Sequence, residues 1–163
     1  MFTDSDLQRW LAEHAASAVS QLLGCKLVTV SRAAATCQAA FTATPALCNH
    51  RGLIHGGVVA AILDTVMSYA VLAGSELACA PATLEMKTVF LHPVNQGRLI
   101  ADGHVVHMGR SIAFLEGTLQ DEAGQVLATA TATAKLIVTN RAPPDRRPGD
   151  VPSDAELRRG GVA

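Results

Sequence analysis

The stretch from Gly57 to about Ala73, GVVAAILDTVMSYAVLA, is apolar on nearly every face and carries one charge, Asp64. A helix that is hydrophobic all round has no side to offer water and must be enclosed. The chain has 163 residues, enough for one domain with a full core and too few for two comfortable ones. This helix is therefore what the rest of the fold has to wrap around.

The segments available for wrapping are mostly strands. Residues 25–32 and 35–44 alternate and are rich in Val, Thr and Ala, which predicts a hairpin. After Gly74 and Pro81, Thr83–Leu91 alternates as TLEMKTVFL, and Pro93 ends it. Strands over about 97–107 and 112–120 flank the turn His107-Met108-Gly109-Arg110-Ser111. A second turn at Asp121–Gly124 leads into 125–138, where Ala and Thr alternate almost strictly from Ala128 to Ala134, as in a strand with one buried face. Ahead of these, Leu7, Trp10, Leu11, Ala15, Ala18 and Leu22 recur at helical spacing. They predict an N-terminal helix over about 4–23, capped by Thr3 or Asp4 and stopped by Gly24. The order is helix, two strands, buried helix, then four strands expected as a meander. It predicts an α+β domain over 1–139, an antiparallel sheet around one long apolar helix. From Asn140 the chain holds four of its seven prolines and nine charges in 24 residues, and a flexible tail is expected over 140–163.

Composition narrows the function classes. Thirteen basic residues against 14 acidic ones give a net charge of −1, without the excess of Lys and Arg that nucleic-acid binding needs. Cys25, Cys37, Cys48 and Cys79 form no CxxC pair and no cluster with zinc spacing, so buried thiols are expected and no metal site. The charged N-terminus lacks the apolar run of a signal peptide. Asp64 interrupts the longest apolar run, so no membrane insertion is expected either. A cytoplasmic setting follows as the expectation.

An ionised carboxylate in an apolar helix is costly unless it is paired, hydrogen-bonded or open to a cavity. Asp64 could simply bond to backbone or to Ser68 one turn on, or it could serve as a base or nucleophile with its pKa raised by burial. The helix begins after His55-Gly56-Gly57, and its first amides have no partners within the helix. Glycine there leaves the donors open to a ligand, and the helix dipole favours negative charge. Acyl transfer needs such donors, aimed at the oxygen that becomes an oxyanion. Gly56 and Asp64 lie eight residues apart, or about 12 Å along the axis. If both act on one substrate, two chains must contribute, with their helices side by side and antiparallel.

The run Asn49-His50-Arg51-Gly52-Leu53-Ile54-His55-Gly56-Gly57, followed by Asp64, resembles the signature of hotdog-fold thioesterases of the phenylacetate-degradation (PaaI-like) type. In that pattern, N-x-x-G-x-x-H-G-G is followed by an acid seven residues after the last Gly. The similarity extends through TLEMKTVFLHPV and MGRSIAFLEGTL, roughly residues 20–138. The resemblance implies a hotdog fold and hydrolysis of an acyl-CoA thioester to free acid and CoA, of an aryl or medium-chain acyl group. It implies Asp64 as nucleophile or general base, with the Gly56 and Gly57 amides of the other chain polarising the carbonyl. Asn49 would bond the attacking water or the thioester, and His55 would position the loop or the carbonyl. Ser68, at i+4 from Asp64 on the same helix face, and Thr83 would supply hydroxyls.

Each of these residues also has an ordinary reading: Asn49 as a turn residue, His55 as a loop histidine, Ser68 and Thr83 as inert hydroxyls. Arg110 in the MGRS turn is the candidate for the CoA phosphates, with Lys87 and Arg51 behind it, against the plain alternative of solvated charges. No cofactor is expected beyond the CoA of the substrate, and self-association as a dimer or a dimer of dimers is. Val58, Met67, Leu72 or Phe90 would line the acyl pocket. The competing reading is a hotdog module that binds acyl-CoA without hydrolysing it. A dehydratase fits less well because His55 precedes the helix, and no GxSxG elbow supports a catalytic-triad hydrolase.

Overall fold

A computed structural model describes residues 3–139, and the tail expected from Asn140 lies outside the described residues. The elements, in order, are α1 (Asp4–His14), α2 (Ala18–Leu22), β1 (Lys26–Ser31), β2 (Thr36–Ala43), α3 (Gly56–Gly74), β3 (Cys79–Phe90), β4 (Gly97–Met108), β5 (Ile112–Asp121) and β6 (Val126–Val138). All strand pairs are antiparallel, in the order β1-β2-β4-β5-β6-β3. The sheet wraps the long helix α3, which is the hotdog arrangement expected above.

Two expectations need correction. The N-terminal helix is two helices: Ser17 accepts from the Ser20 amide in a capping box of its own, so α2 starts afresh after Ala15 closes α1. The last four strands are not one meander either. Only β4, β5 and β6 run consecutively, while β3 crosses to the far edge and pairs with β6. That places β3, Pro81 included, where one side of the backbone is unpaired. An edge strand tolerates a proline.

The alternation of the strands supplies the core. Cys37, Ala39, Phe41 and Ala43 of β2 point inward, as do Leu99, Ala101 and Val105 of β4, and the alanines of β6 from Ala128 to Ala134. Small inward residues let α3 sit close. Gly103 of β4 and Gly117 of β5 are cross-strand partners at the centre of the sheet. A Cβ on Gly103 would overlap the Val66 carbonyl of α3, and one on Gly117 would press on Leu63 and Met67 at 3.2 Å. The pair forms a notch that fixes the depth and height of the helix. Gly103→Ala is expected to cost about 2–4 kcal/mol, because the new methyl meets backbone and neither element can give way alone. Urea unfolding of the variant beside wild type measures it.

The face of α3 toward the sheet, with Val59, Ile62, Leu63, Val66, Met67 and Ala70, is buried. Val58, Ala60, Ala61, Asp64, Thr65, Ser68 and Leu72 remain partly accessible. The helix has the length and apolar composition of a membrane span, yet here it is the core helix of a wrapped sheet. It is apolar on a side that its own sheet does not cover. All four cysteines are free. Burial pushes the Cys25 thiol up to about 11 and raises Cys37, which is 2% exposed, as well. They behave as core residues.

Candidate active site

The loop before α3 is rigid by construction. The Asn49 side-chain carbonyl accepts from the amides of Arg51 (2.8 Å) and Leu53 (3.4 Å), while the Asn49 amide donates to the Leu53 carbonyl. Gly52 stands at φ +76°, a conformation that favours glycine, and so closes the turn. The Ile54 amide donates to Val94, and the His55 amide to Leu47. In this chain Asn49 thus shapes the loop through its oxygen, and its NH2 group makes no hydrogen bond among the described residues.

His55 is the N-cap of α3, and its Nδ1 accepts from the Gly57 amide at 3.0 Å. An accepting Nδ1 carries no proton, so the neutral ring holds its proton on Nε2. One of the two glycine amides is therefore already occupied within the chain. The Gly56 amide has no acceptor among the described residues, and it stands at the positive end of the α3 dipole. The Phe90 ring lies alongside, 3.3 Å from where a Gly56 Cβ would be.

Asp64 is half-buried in the middle of α3 and is bonded neither to Ser68 nor to backbone. Its Oδ1 accepts from the Thr83 hydroxyl at 2.7 Å, and Oδ2 accepts no hydrogen bond among the described residues. A bulge in β3 aims that hydroxyl. The register shifts between Thr83 and Glu85, so Leu84 is the extra residue. Thr83, Met86, Thr88 and Phe90 all sit opposite inward alanines of β6, whereas Glu85, Lys87 and Val89 pair with outward threonines. Without the bulge, Thr83 and Met86 could not share the face toward α3. Nothing in the sequence announced the bulge.

The remaining candidates divide by place. Ser68 lies beside Asp64 on the wall of a cavity of about 330 Å3 that Leu72, Tyr69 and the residues of α2 also line. Its hydroxyl makes no hydrogen bond among the described residues. Met67, expected in the acyl pocket, is instead fully buried and packs under Gly117; the spacing that puts it near Asp64 in sequence puts it on the sheet side of the helix. Lys87 lies on the outer face of the sheet beside Glu116, away from Asp64. Arg110 is exposed in the turn between β4 and β5, and Arg51 is exposed on the loop before α3. The neighbouring Met108 reaches Gly74 at the C-terminal end of α3. No group of His, Cys, Asp or Glu among the described residues could hold a metal ion.

Comparison with known proteins fits this geometry. Residues 51–128 match the model of the thioesterase superfamily. A phenylacetic acid degradation-related protein from Ralstonia eutropha is 30% identical, with a TM-score of 0.72 over 79% of this chain and 98% of that one. The Escherichia coli PaaI protein of the phenylacetic acid degradation operon shares 20% identity and a TM-score of 0.73, over 83% and 96%. A Streptococcus mutans protein solved with acetyl-CoA bound shares 21% and 0.65, over 72% and 91%. No curated protein matches. A half-buried acid on the central helix of a wrapped sheet, behind an open helix amide, thus sits in a chain that belongs to the hotdog-fold thioesterases, of PaaI-like type, and is a thioester hydrolase.

Proposed function

We propose that the protein hydrolyses acyl-CoA thioesters of aryl or medium-chain acids, with Asp64 as nucleophile or general base. The carrying observation is the Asp64–Thr83 bond: one carboxylate oxygen is fixed by the hydroxyl, and the other, beside a cavity, has no partner among the described residues. A carboxylate held in this way has a defined direction of attack. Acting as base, Oδ2 takes a proton from water whose oxygen adds to the thioester carbonyl. The tetrahedral oxyanion then collapses, the C–S bond breaks, and the departing sulfur takes up the proton held on Asp64 and leaves as CoA thiol. Acting as nucleophile, Asp64 adds directly and expels the CoA thiolate. Water then cleaves the resulting anhydride to the free acid and the Asp64 carboxylate, and the proton released in that step balances the thiolate. In both routes the oxyanion needs a donor, and the unoccupied Gly56 amide is the stronger candidate of the two glycines.

The Gly56 amide and Asp64 of one chain are about 12 Å apart along α3, so the donor comes from a second copy. Three features support a dimer. The outward side of α3 is apolar and only partly covered. At its midpoint between Gly56 and Asp64 stand Ala60 and Ala61, small enough to let two antiparallel helices touch. And β3 offers a 12-residue free edge carrying exposed Leu84, Val89 and Phe90, the kind of edge that pairs with another strand. Arg51, on the loop before α3, and Arg110, in the turn between β4 and β5, are both exposed. Those two arginines are the candidates for the CoA phosphates. Lys87, on the opposite face of the sheet, is the weaker one. No cofactor beyond the CoA of the substrate is required.

Thiol release from a panel of acyl-CoAs, from acetyl to palmitoyl and including phenylacetyl and benzoyl, tests the reading. Turnover concentrated on aryl and medium-chain members is expected. Binding of acyl-CoA without thiol release would favour the non-catalytic module instead.

A further inference from the structure

We infer that the acyl group runs from Asp64 along α3 into the cavity beneath α2, and that Val19 sets how long a group can enter. The inference rests on reading Asp64 as the acyl-transfer acid and adds where its substrate lies. Asp64, Ser68 and Leu72 follow one another at four-residue steps on one helix face, and all three line the same cavity of about 330 Å3. From Asp64 to Leu72 the helix advances about 12 Å. An extended chain covers about 3.3–3.6 Å per residue of three bonds, so this length takes roughly ten bonds. The volume lies near the lower end of ligand pockets, about 300–1,000 Å3. A single aromatic ring on a short linker, or a saturated chain of medium length, suits both measures.

The far wall is made by the N-terminal segment rather than by the sheet. Ala15 and Val19 line the cavity from the outside, opposite α3. Tyr69 ties the two together, its hydroxyl donating to the Ala15 carbonyl at 3.3 Å, a long bond for O–H to O. The Tyr69 hydroxyl is thus one tie between the α1–α2 joint and α3, beside the buried Leu11, Ser20 and Leu23 of the same segment, and α2 is only five residues long. Val19 itself is 53% exposed. It presents its side chain at the rim of the cavity while half of it remains in solvent, so a larger residue there fills the pocket without displacing the core.

Val19→Trp tests this, with Leu72→Ala as the opposite change. Values of kcat/KM are measured for acetyl-, butyryl-, octanoyl-, phenylacetyl- and palmitoyl-CoA. Val19→Trp is expected to lower those for octanoyl- and phenylacetyl-CoA by about tenfold or more, and acetyl-CoA by less than about twofold, since pocket size discriminates in steps of that order. Leu72→Ala is expected to move the preference toward longer chains. The same series is read as dissociation constants in an Asp64→Asn background by calorimetry. A length profile that Val19→Trp leaves unmoved, or lowers uniformly, overturns the inference even where wild type hydrolyses the panel. A wild type that releases no thiol, with a binding profile that still shifts in Val19→Trp, overturns the catalytic reading and leaves this one standing.

Discussion

Asp64→Asn is expected to lower kcat by roughly 10²–10⁴-fold, the usual contribution of a positioned acid or base, or about 3–5 kcal/mol of barrier. The substitution isolates chemistry from structure unusually well here. Asparagine keeps the size of the side chain and, with its carbonyl turned to Thr83, keeps an acceptor for that hydroxyl. What disappears is the anionic oxygen that has no partner among the described residues. Asp64 is only half-buried, so removing its charge relieves little desolvation and leaves little strain. Unfolding midpoint and oligomeric state should stay close to wild type, and KM for acyl-CoA should change little, because the lost interaction is made in the transition state. Thiol release and urea unfolding on the same preparation check both halves. Activity within tenfold of wild type would reduce Asp64 to a structural partner of Thr83, and the acyl-CoA-binding module would become the better reading.

Much of this site was legible in the chain, and the reason is local. One charge in a helix otherwise apolar on every face is a contradiction that sequence alone displays, and the helix N-terminus seven residues upstream is marked by two glycines. The strands could be read because the strict alternation of Ala and Thr in β6 has only one structural meaning. What could not be read depends on contacts distant in sequence. The crossing of β3 to the edge beside β6 is a choice among partners, and a strand's own pattern does not name its neighbour. The bulge at Leu84 exists only as a mismatch between two strands, so the aim of Thr83 was invisible. Gly103 and Gly117 did carry a signal, since glycine inside a strand often marks close backbone approach, but that they face each other under α3 emerges only from the register. His55 shows the same limit at short range. Its place before the helix left open whether it positions the loop or the carbonyl, and only the structure adds that its Nδ1 accepts from the Gly57 amide. That bond shifts the candidate oxyanion donor to Gly56.

Mixing two inactive variants is expected to restore activity, because the proposed site takes its acid and its amide from different chains. Asp64→Asn leaves the Gly56 amide intact. Gly56→Val leaves Asp64 intact but sets two methyl groups beside the amide, against a Phe90 ring already 3.3 Å from the position of a Cβ, and so closes the approach to that donor. Each homodimer then carries two defective sites. In a heterodimer one site pairs the wild-type Asp64 of one chain with the wild-type Gly56 of the other, while the second site holds both defects. Random exchange of equal amounts makes half of the dimers heterodimers with one good site of two, so about a quarter of wild-type activity returns, as two-fold symmetry requires. Exchange is achieved by co-expression with two different affinity tags, followed by assay of the doubly purified species, whose activity should approach half of wild type. A single-chain site gives the opposite result. Neither variant would complement the other, and the doubly purified species would be as inactive as its parents. The distance along α3 makes the first outcome the expected one, since an aspartate side chain spans only a few ångströms of the about 12 Å that separate it from its own Gly56.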